Sequence, residues 1–181
     1  MKIAVYCSAS EGLSPALYTA AEAFGRALAA RGHSLVYGGF GKGVMGAVAR
    51  GVQAGGGEVI GVIPAVFANR DDNFACTRAV YTQTMHQRKA AMEAEADAFS
   101  VLPGGVGTYD EFFEVLVLCT LGEMAKPIAV FNPDGCFDAL AALLADGAAR
   151  GLISQRTVEL APFFSSPEPL LSHLEAQTAA R

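Results

Sequence analysis

Short apolar runs alternate along this chain with segments in which apolar residues recur every three or four positions. The runs predict buried strands at Ile3–Cys7, Ser34–Tyr37, Glu58–Ile63, Asp97–Leu102 and Ile128–Phe131, and a short last strand at Val158–Ala161. The periodic segments predict helices after Ser14, after Gly41, at Met85–Ala96, from Thr108 to Leu121, at Phe137–Arg150 and at Pro167–Ala176. Because strand and helix alternate, we expect an α/β fold, a Rossmann-like open parallel sheet with helices on both faces.

One segment, from Pro64 to Thr84, shows neither pattern. Its centre, Asn69–Asn73, is strongly polar, and we interpret the whole segment as a long loop. A loop of this length in a compact domain tends to be functional or to lie over a site. The chain contains no internal repeat and no low-complexity linker, so residues 1–181 are expected to form a single domain.

The stretch after the fourth predicted strand carries the main chemical signal. Pro103 ends the apolar run, Gly104, Gly105 and Gly107 follow, and Thr108 is placed to cap the next helix. Glycine allows positive φ and lets a ligand lie against bare backbone. Loop amides and a helix N-terminus together suit a phosphate. Taken alone, the same pattern also fits an ordinary strand-to-helix connection with a cap.

Charged residues on two predicted helices change this picture. Asp110 and Glu111 follow the glycine loop, which indicates a ligand that is part phosphate and part a group on which carboxylates can act. On the preceding helix, Arg88 and Lys89 share a face with Met85 and Met92, by their spacing of three, four and seven residues. We expect this face to direct its cations at an anionic group, and an ordinary solvated pair of cations is the alternative.

A second glycine loop, Gly41–Gly46, matches the G-x-G-x-x-G pattern of dinucleotide-binding proteins. It follows the second strand rather than the first, and the next strand ends at Pro64 without an acidic residue to hold a ribose. A nicotinamide enzyme is therefore the weaker interpretation. We expect this loop to close the other side of the site built by the first loop.

Composition narrows the classes of function. A net charge of −5 over 181 residues argues against a nucleic-acid binder, which needs a basic face. The sequence has no apolar run of 18 residues and begins directly with a strand, so we expect neither a membrane span nor a signal peptide. The four cysteines lack metal-ligand or disulfide spacing, which predicts no metal site and a cytoplasmic location, with Cys7 and Cys119 buried.

Two motifs in order make the chain resemble the LOG family, the cytokinin riboside 5′-monophosphate phosphoribohydrolases, often mislabelled as lysine decarboxylases. Pro103–Glu111 is similar to the family's P-G-G-x-G-T-x-x-E motif, and Met85–Lys89 is similar to its M-H-x-R-K stretch. The resemblance implies hydrolysis of the N-glycosidic bond of an adenine nucleoside 5′-monophosphate, with or without an N6 modification, and no cofactor. It implies a catalytic pair, Arg88 and Glu111, and substrate contacts by Gly39, Met85, Lys89, Gly104, Gly105, Val106, Gly107, Thr108, Tyr109 and Asp110.

The chain also departs from the family pattern. Phe40 stands where members have a glycine, Asn69–Asp71 only roughly matches an acidic loop motif, and the sequence has no tryptophan. These departures concern the nucleotide pocket and its rim more than the reaction. The decarboxylase label is excluded, because pyridoxal enzymes of that kind are far larger and no lysine lies in a recognisable Schiff-base setting.

Two other classes of function remain as alternatives. A nucleotide-binding carrier or sensor would use the same phosphate loop without chemistry, and should lack the Arg88–Glu111 pair that this chain keeps. A purely structural domain would leave the glycine loops without a purpose. We also expect a homodimer or larger assembly, because the segment Glu111–Leu121 is apolar nearly all round and should be buried.

Overall fold

A computed structural model describes residues 1–68, 74 and 76–180. Seven strands form one parallel sheet in the order β4-β3-β2-β1-β5-β6-β7. The strands are β1 Lys2–Tyr6, β2 Ser34–Tyr37, β3 Val59–Pro64, β4 Arg78–Thr82, β5 Ala98–Val101, β6 Ile128–Phe131 and β7 Phe163–Phe164. The helices are α1 Pro15–Ala30, α2 Gly43–Ala54, α3 Met85–Glu95, α4 Val106–Leu121, α5 Asp138–Ala149, α6 Gln155–Glu159 and α7 Pro167–Ala179. Short 3₁₀ turns lie at Ala65–Phe67 and Pro133–Gly135.

Helices cover both faces of the sheet. On one face, apolar side chains of α1, α2 and α7 pack together with Ile3, Leu35 and Ala98 of the strands. On the other face, side chains of α3, α4 and α5 pack against Val36 and Phe99. Both layers are buried, which explains why the central strands read as continuous apolar runs. The expected α/β fold with an open parallel sheet is confirmed.

The predictions failed at both edges of the sheet. β4 lies inside the segment that we interpreted as a loop. Its residues are largely exposed, since it lies at the edge of the sheet beside β3, and so it shows no apolar run in the sequence. The strand predicted at Val158–Ala161 is wrong, since α6 occupies the first half of that segment. There the Ser154 hydroxyl accepts a hydrogen bond from the amide of Thr157 and caps the helix. The last strand, β7, comes two residues later and has only two residues.

The start of α4 also differs from the prediction. Thr108 is not the cap: Gly105 is the N-cap, and Thr108 lies in the first turn with 3% of its surface exposed. A Cβ at Gly104 would overlap the Thr108 hydroxyl, so glycine is needed there for packing. None of Gly104, Gly105 and Gly107 has positive φ. Near the site that conformation occurs at Gly39 and Gly43.

Three further expectations concern burial, the membrane and the polar loop. Cys7 is buried, whereas Cys119 is only half-buried, contrary to its prediction. Within the described ranges, no helix is long and apolar enough to cross a membrane. Asn69–Asn73, the polar centre of the predicted long loop, lies outside the described residues.

Candidate active site

A cavity of about 260 Å³ opens at the carboxyl ends of the central strands. This is the edge where open parallel sheets bind ligands, and β1 and β5 are the strands between which the strand order reverses. Its walls come from the segment after β1, from α2 and α3, and from the start of α4. The lining residues are Cys7, Ser8, Ala9, Ser10, Met45, Arg88, Gly105, Val106, Gly107, Thr108 and Glu111.

The first turn of α4 forms one side of this cavity and has the features of an anion-binding turn. Gly105 caps the helix without a side-chain hydrogen bond, and its carbonyl accepts from the amide of Tyr109 at 3.0 Å. The amides of residues 106–108 have no carbonyl partner within the helix, as in any first turn. A Cβ at Gly105 or Gly107 would meet no protein atom within 4 Å, so the backbone surface there is open to a ligand. These amides and the helix dipole suit a phosphate.

Arg88 and Glu111 form a buried ion pair at the base of the cavity. The Arg88 Nη1 donates to Glu111 Oε1 at 2.9 Å, and Nε donates to the carbonyl of Val62 at 3.3 Å. Each residue is 6% exposed. Gly38 leaves room for this arrangement, because a Cβ there would overlap Arg88 Nη2 and press on the Met45 side chain. The guanidinium is therefore held by two hydrogen bonds and lies close against the backbone of Gly38, which directly follows β2.

Burial dominates the electrostatics of this pair. It raises the pKa of Glu111 above its usual value, and the nearby Arg88 only partly opposes that effect. Burial also raises the pKa values of Tyr6 and Cys7 well above normal, and the Glu111 charge adds to both shifts. The site therefore holds one carboxyl group whose pKa is raised, beside a fixed positive charge. Such a group can stabilise a developing cation when it is ionised, or exchange a proton with a reacting group.

Lys89 and Asp110 lie beside the cavity and not in its lining. Lys89 Nζ is 2.6 Å from Glu114 Oε2 and 3.1 Å from Asp110 Oδ2, so both carboxylates hold it. The hydrogen bond with Glu114 raises the pKa of Lys89, against a smaller lowering by burial. The two cations that we expected to share one face of α3 therefore have different surroundings. Arg88 points inward to Glu111, and Lys89 pairs with carboxylates on the outer side of α4.

The other predicted substrate contacts lie around the cavity at varying distance. Gly39 is buried, and its carbonyl accepts from the amide of Phe74 at 2.8 Å. Met85 begins α3 and is exposed, while Tyr109 packs on the edge of Phe137 on the far side of α4. Gly104 lines an adjoining pocket of about 270 Å³. Of the predicted site residues, the cavity brings together Arg88, Glu111 and Gly105–Thr108.

Sequence reasoning did not assign five residues of the lining to the site, namely Cys7–Ser10 and Met45. Ser8 joins the loops: its amide donates to the carbonyl of Pro103 at 3.1 Å, and its carbonyl accepts from the amide of Met45 at 3.0 Å. The position of Cys7–Ser10 in the sequence could have indicated their place in the site, because the segment after the first strand lies at the edge of the sheet where ligands bind. Phe40, the departure from the family pattern, packs edge-on against Phe67 and does not line the cavity.

Among the described residues, no group of three or more His, Cys, Asp or Glu side chains could hold a metal ion.

Comparisons with known proteins give a consistent answer. Residues 45–174 match a family model described as "Possible lysine decarboxylase". A probable cytokinin riboside 5′-monophosphate phosphoribohydrolase of Oryza sativa subsp. japonica is 39% identical over 180 residues, which cover 96% of this chain and 71% of that protein. Proteins named cytokinin riboside 5′-monophosphate phosphoribohydrolase from Arabidopsis thaliana and Mycobacterium marinum are 37% and 43% identical. The Arabidopsis alignment covers 96% of this chain and 82% of that protein, and the mycobacterial alignment covers 87% and 84%.

Solved structures share the fold. The molybdenum cofactor carrier protein of Chlamydomonas reinhardtii superposes with a TM-score of 0.72 at 18% identity, covering 99% of this chain and 98% of that one. A molybdenum cofactor binding protein of Rippkaea orientalis has the same TM-score at 22% identity, covering 97% and 95%. At these identities the likeness shows the architecture alone. Together with the extended identity to the plant and mycobacterial proteins, the match over residues 45–174 places this chain in the LOG family.

Proposed function

We propose that this protein hydrolyses the N-glycosidic bond of an adenine nucleoside 5′-monophosphate, with or without an N6 substituent, and releases the free base and ribose 5-phosphate. The proposal rests on the family and on the contents of the cavity. The relatives' names specify a cytokinin riboside 5′-monophosphate as the substrate. The reaction consumes water and needs no cofactor.

The observation that carries the proposal is the distance between two features of α4. Val106 begins the helix at the anion-binding turn, and Glu111 lies five residues further on. At 1.5 Å per residue this is about 7.5 Å along the helix axis. A ribose whose 5′-phosphate binds the amides of residues 106–108 can therefore reach the Glu111 carboxylate. Arg88 holds that carboxylate in one position.

The proposed mechanism follows from these positions. Cleavage of the glycosidic bond builds positive charge on the ribose, which an ionised Glu111 beside the sugar stabilises. The same carboxylate orients the attacking water and accepts its proton, a role that its raised pKa favours. Arg88 is a fixed cation that cannot donate a proton in this range of pH. It orients Glu111 and contacts the nucleotide. Gly39, Met85 and Gly104–Asp110 remain predictions as residues that contact the substrate or lie next to it.

A carrier or sensor is the second candidate function, and the fold likeness to molybdenum cofactor carriers gives it a specific basis. A carrier needs the anion-binding turn. It has no use for a buried carboxylate paired with a buried guanidinium, which is costly to place inside a protein. The Arg88–Glu111 pair therefore favours the enzyme.

We also propose a homodimer in the cytoplasm, with the whole chain acting as one domain. Phe113, Val117 and Leu121 form an exposed apolar stripe on α4, four residues apart. With Leu144 and Leu152 they line an apolar groove of about 330 Å³. A second copy of this chain would cover that stripe.

Base release from a panel of nucleoside 5′-monophosphates tests the substrate. We expect free base from AMP or its N6-isopentenyl derivative, measured by liquid chromatography, and at least tenfold less from CMP and UMP. Equal release from purine and pyrimidine nucleotides would contradict the adenine assignment. Tight binding of the nucleotide without release from any of them would instead favour the carrier.

A further inference from the structure

Lys89 neighbours the catalytic pair in sequence and in space, yet its contacts differ from those expected of a phosphate ligand. Its ammonium group donates a hydrogen bond to Asp110 Oδ2 at 3.1 Å and forms an ion pair with Glu114 Oε2 at 2.6 Å. One positive charge between two negative charges leaves a net negative charge there, which does not attract a phosphate dianion. The lining of the cavity does not include Lys89.

The geometry of the two helices suggests another task. Arg88 and Lys89 are consecutive on α3, and their partners lie on one turn of α4. Arg88 reaches the buried Glu111, while Lys89 reaches Asp110 and Glu114, which precede and follow Glu111 along the helix and lie on one side of it around the helix axis. The two links therefore hold neighbouring faces of α4 and restrict its rotation at the height of Glu111.

We propose that Lys89 is a positioning residue: by joining α3 to α4 through Asp110 and Glu114, it sets the place and the charge of the Glu111 carboxylate. The inference deepens the proposed function and rests on Glu111 being the carboxylate that acts on the ribose. Charge is the second half of the role, because the Lys89 ammonium also neutralises the anionic Asp110 next to Glu111.

The charges around Glu111 come from three elements, and their directions agree with this role. The facing groups are Arg88, Lys89 and Glu93 on α3, Asp110 and Glu114 on α4, Tyr6 on β1 and Cys7 just after it. Arg88 and Lys89 lower the pKa of Glu111, while burial and Asp110 raise it. Loss of Lys89 removes one of the two cations and leaves Asp110 without its partner, so the pKa of Glu111 should rise further.

The test uses the Lys89→Met variant and two measurements that need no turnover. Side-chain carboxyl ¹³C NMR gives the pKa of Glu111, and calorimetry gives the Kd for ribose 5-phosphate. We expect the Glu111 pKa to rise by about 0.5, the scale of one partly screened charge. The Kd should stay within twofold. In turnover, kcat should fall about 10- to 100-fold with its acid limb moved to higher pH, the cost of a misplaced catalytic group.

Two control variants separate this role from general helix packing. Lys89→Arg keeps the charge and both partners within reach and should restore the wild-type pKa and kcat. Lys126→Met removes another lysine that holds α3, through a 2.6 Å bond to the carbonyl of Glu93, and should leave the Glu111 pKa unchanged. If Lys126→Met reproduces the Lys89→Met changes, the role is packing and the inference is wrong.

The opposite pattern would identify a substrate contact. A Kd for ribose 5-phosphate raised tenfold or more in Lys89→Met, with the Glu111 pKa unmoved, would overturn the inference. Should Lys89→Met not fold, Glu114→Gln removes the nearer partner and keeps the lysine. It is expected to lower kcat without weakening ribose 5-phosphate binding, and a wild-type kcat there would also overturn the inference. A wild-type protein that releases no base refutes the proposed function, whereas the NMR result still decides the position and charge of Glu111.

Discussion

At the scale of single residues, the candidate site contains one buried ion pair, and we propose a different task for each of its members. In that proposal Glu111 supplies the charge that acts on the substrate, and Arg88, which donates to it at 2.9 Å, fixes where that charge lies. The sequence patterns pointed to two carboxylates after a glycine loop and to two cations on one helix face, and the resemblance to the LOG family selected Glu111 and Arg88 among them. Their hydrogen bond was not visible in the sequence, since 22 residues separate them and packing of α3 against α4 brings them together.

Glu111→Gln tests the charge. The variant keeps the shape of the side chain and an oxygen that accepts from Arg88, and removes the negative charge that opposes the developing cation. We expect kcat to fall by about 10²–10³, the effect of losing one preorganised electrostatic group. KM should change little, because the anion-binding turn is intact. Steady-state kinetics decides the matter, and a wild-type kcat would refute the catalytic role of Glu111.

Arg88→Met tests the pairing through stability. The variant leaves Glu111 buried without its partner, which should lower the free energy of unfolding by about 3–5 kcal/mol at pH 7. The pKa of Glu111 is already raised by burial and should rise further in this variant. A raised carboxyl pKa means that stability is present at acid pH and is lost as pH rises through the folded value.

The loss in Arg88→Met should therefore be smaller at pH 5 than at pH 7. Urea unfolding at the two pH values measures the difference. An equal loss at both would show that the protonation of Glu111 in the folded protein between pH 5 and pH 7 does not depend on Arg88.

At the scale of elements, α4 serves two surfaces at once. Its first turn is the proposed anion-binding turn, Glu111 lines the cavity, and the stripe of Phe113, Val117 and Leu121 is exposed. The sequence predicted the apolar helix well. It did not predict which face of the helix is buried and which is exposed, because a segment that is apolar nearly all round shows no polar face. The same limit explains the misplaced cap: Thr108 has the right side chain for an N-cap, but packing over Gly104 draws it into the first turn.

Gly107→Ala tests the anion-binding turn. No protein atom lies within 4 Å of the added Cβ, and alanine is favoured over glycine in a helix, so the variant should be as stable as wild type or about 0.4–1 kcal/mol more stable. The methyl group should instead obstruct the phosphate. KM for the nucleotide should rise at least tenfold while Tm does not fall. An unchanged KM would place the phosphate elsewhere.

Val117→Asp tests the outward stripe. Val117 is 52% exposed in the single chain, and a charge there should not affect folding but should prevent a second copy from packing on α4. Light scattering at micromolar concentration should give twice the chain mass for wild type and the chain mass for the variant. Val66→Asp, at a valine that is 72% exposed and lies in the 3₁₀ turn after β3, is the control and should stay dimeric. A monomeric wild type would contradict the proposed dimer.

At the scale of the whole molecule, the parallel sheet decides where chemistry can occur. Central strands buried on both faces gave clear apolar runs, so the fold class and five of the strands could be predicted from the sequence. The edges could not, because β4 is exposed and β7 has two residues. The glycine loops indicated where a ligand cavity would lie. Cys7–Ser10 and Met45 also line it, because folding brings the loops after β1, β2 and β5 together at one edge of the sheet.

The central claim is that this protein is an enzyme whose anion-binding turn positions a ribose at Glu111. The most direct test compares AMP with adenosine, and follows free adenine and ribose 5-phosphate by liquid chromatography with wild type and Glu111→Gln. We predict adenine and ribose 5-phosphate in equal amounts from AMP, at least 100-fold slower release from adenosine, and almost none from AMP with Glu111→Gln. Equal rates from AMP and adenosine, or recovery of AMP intact after tight binding, would contradict the account.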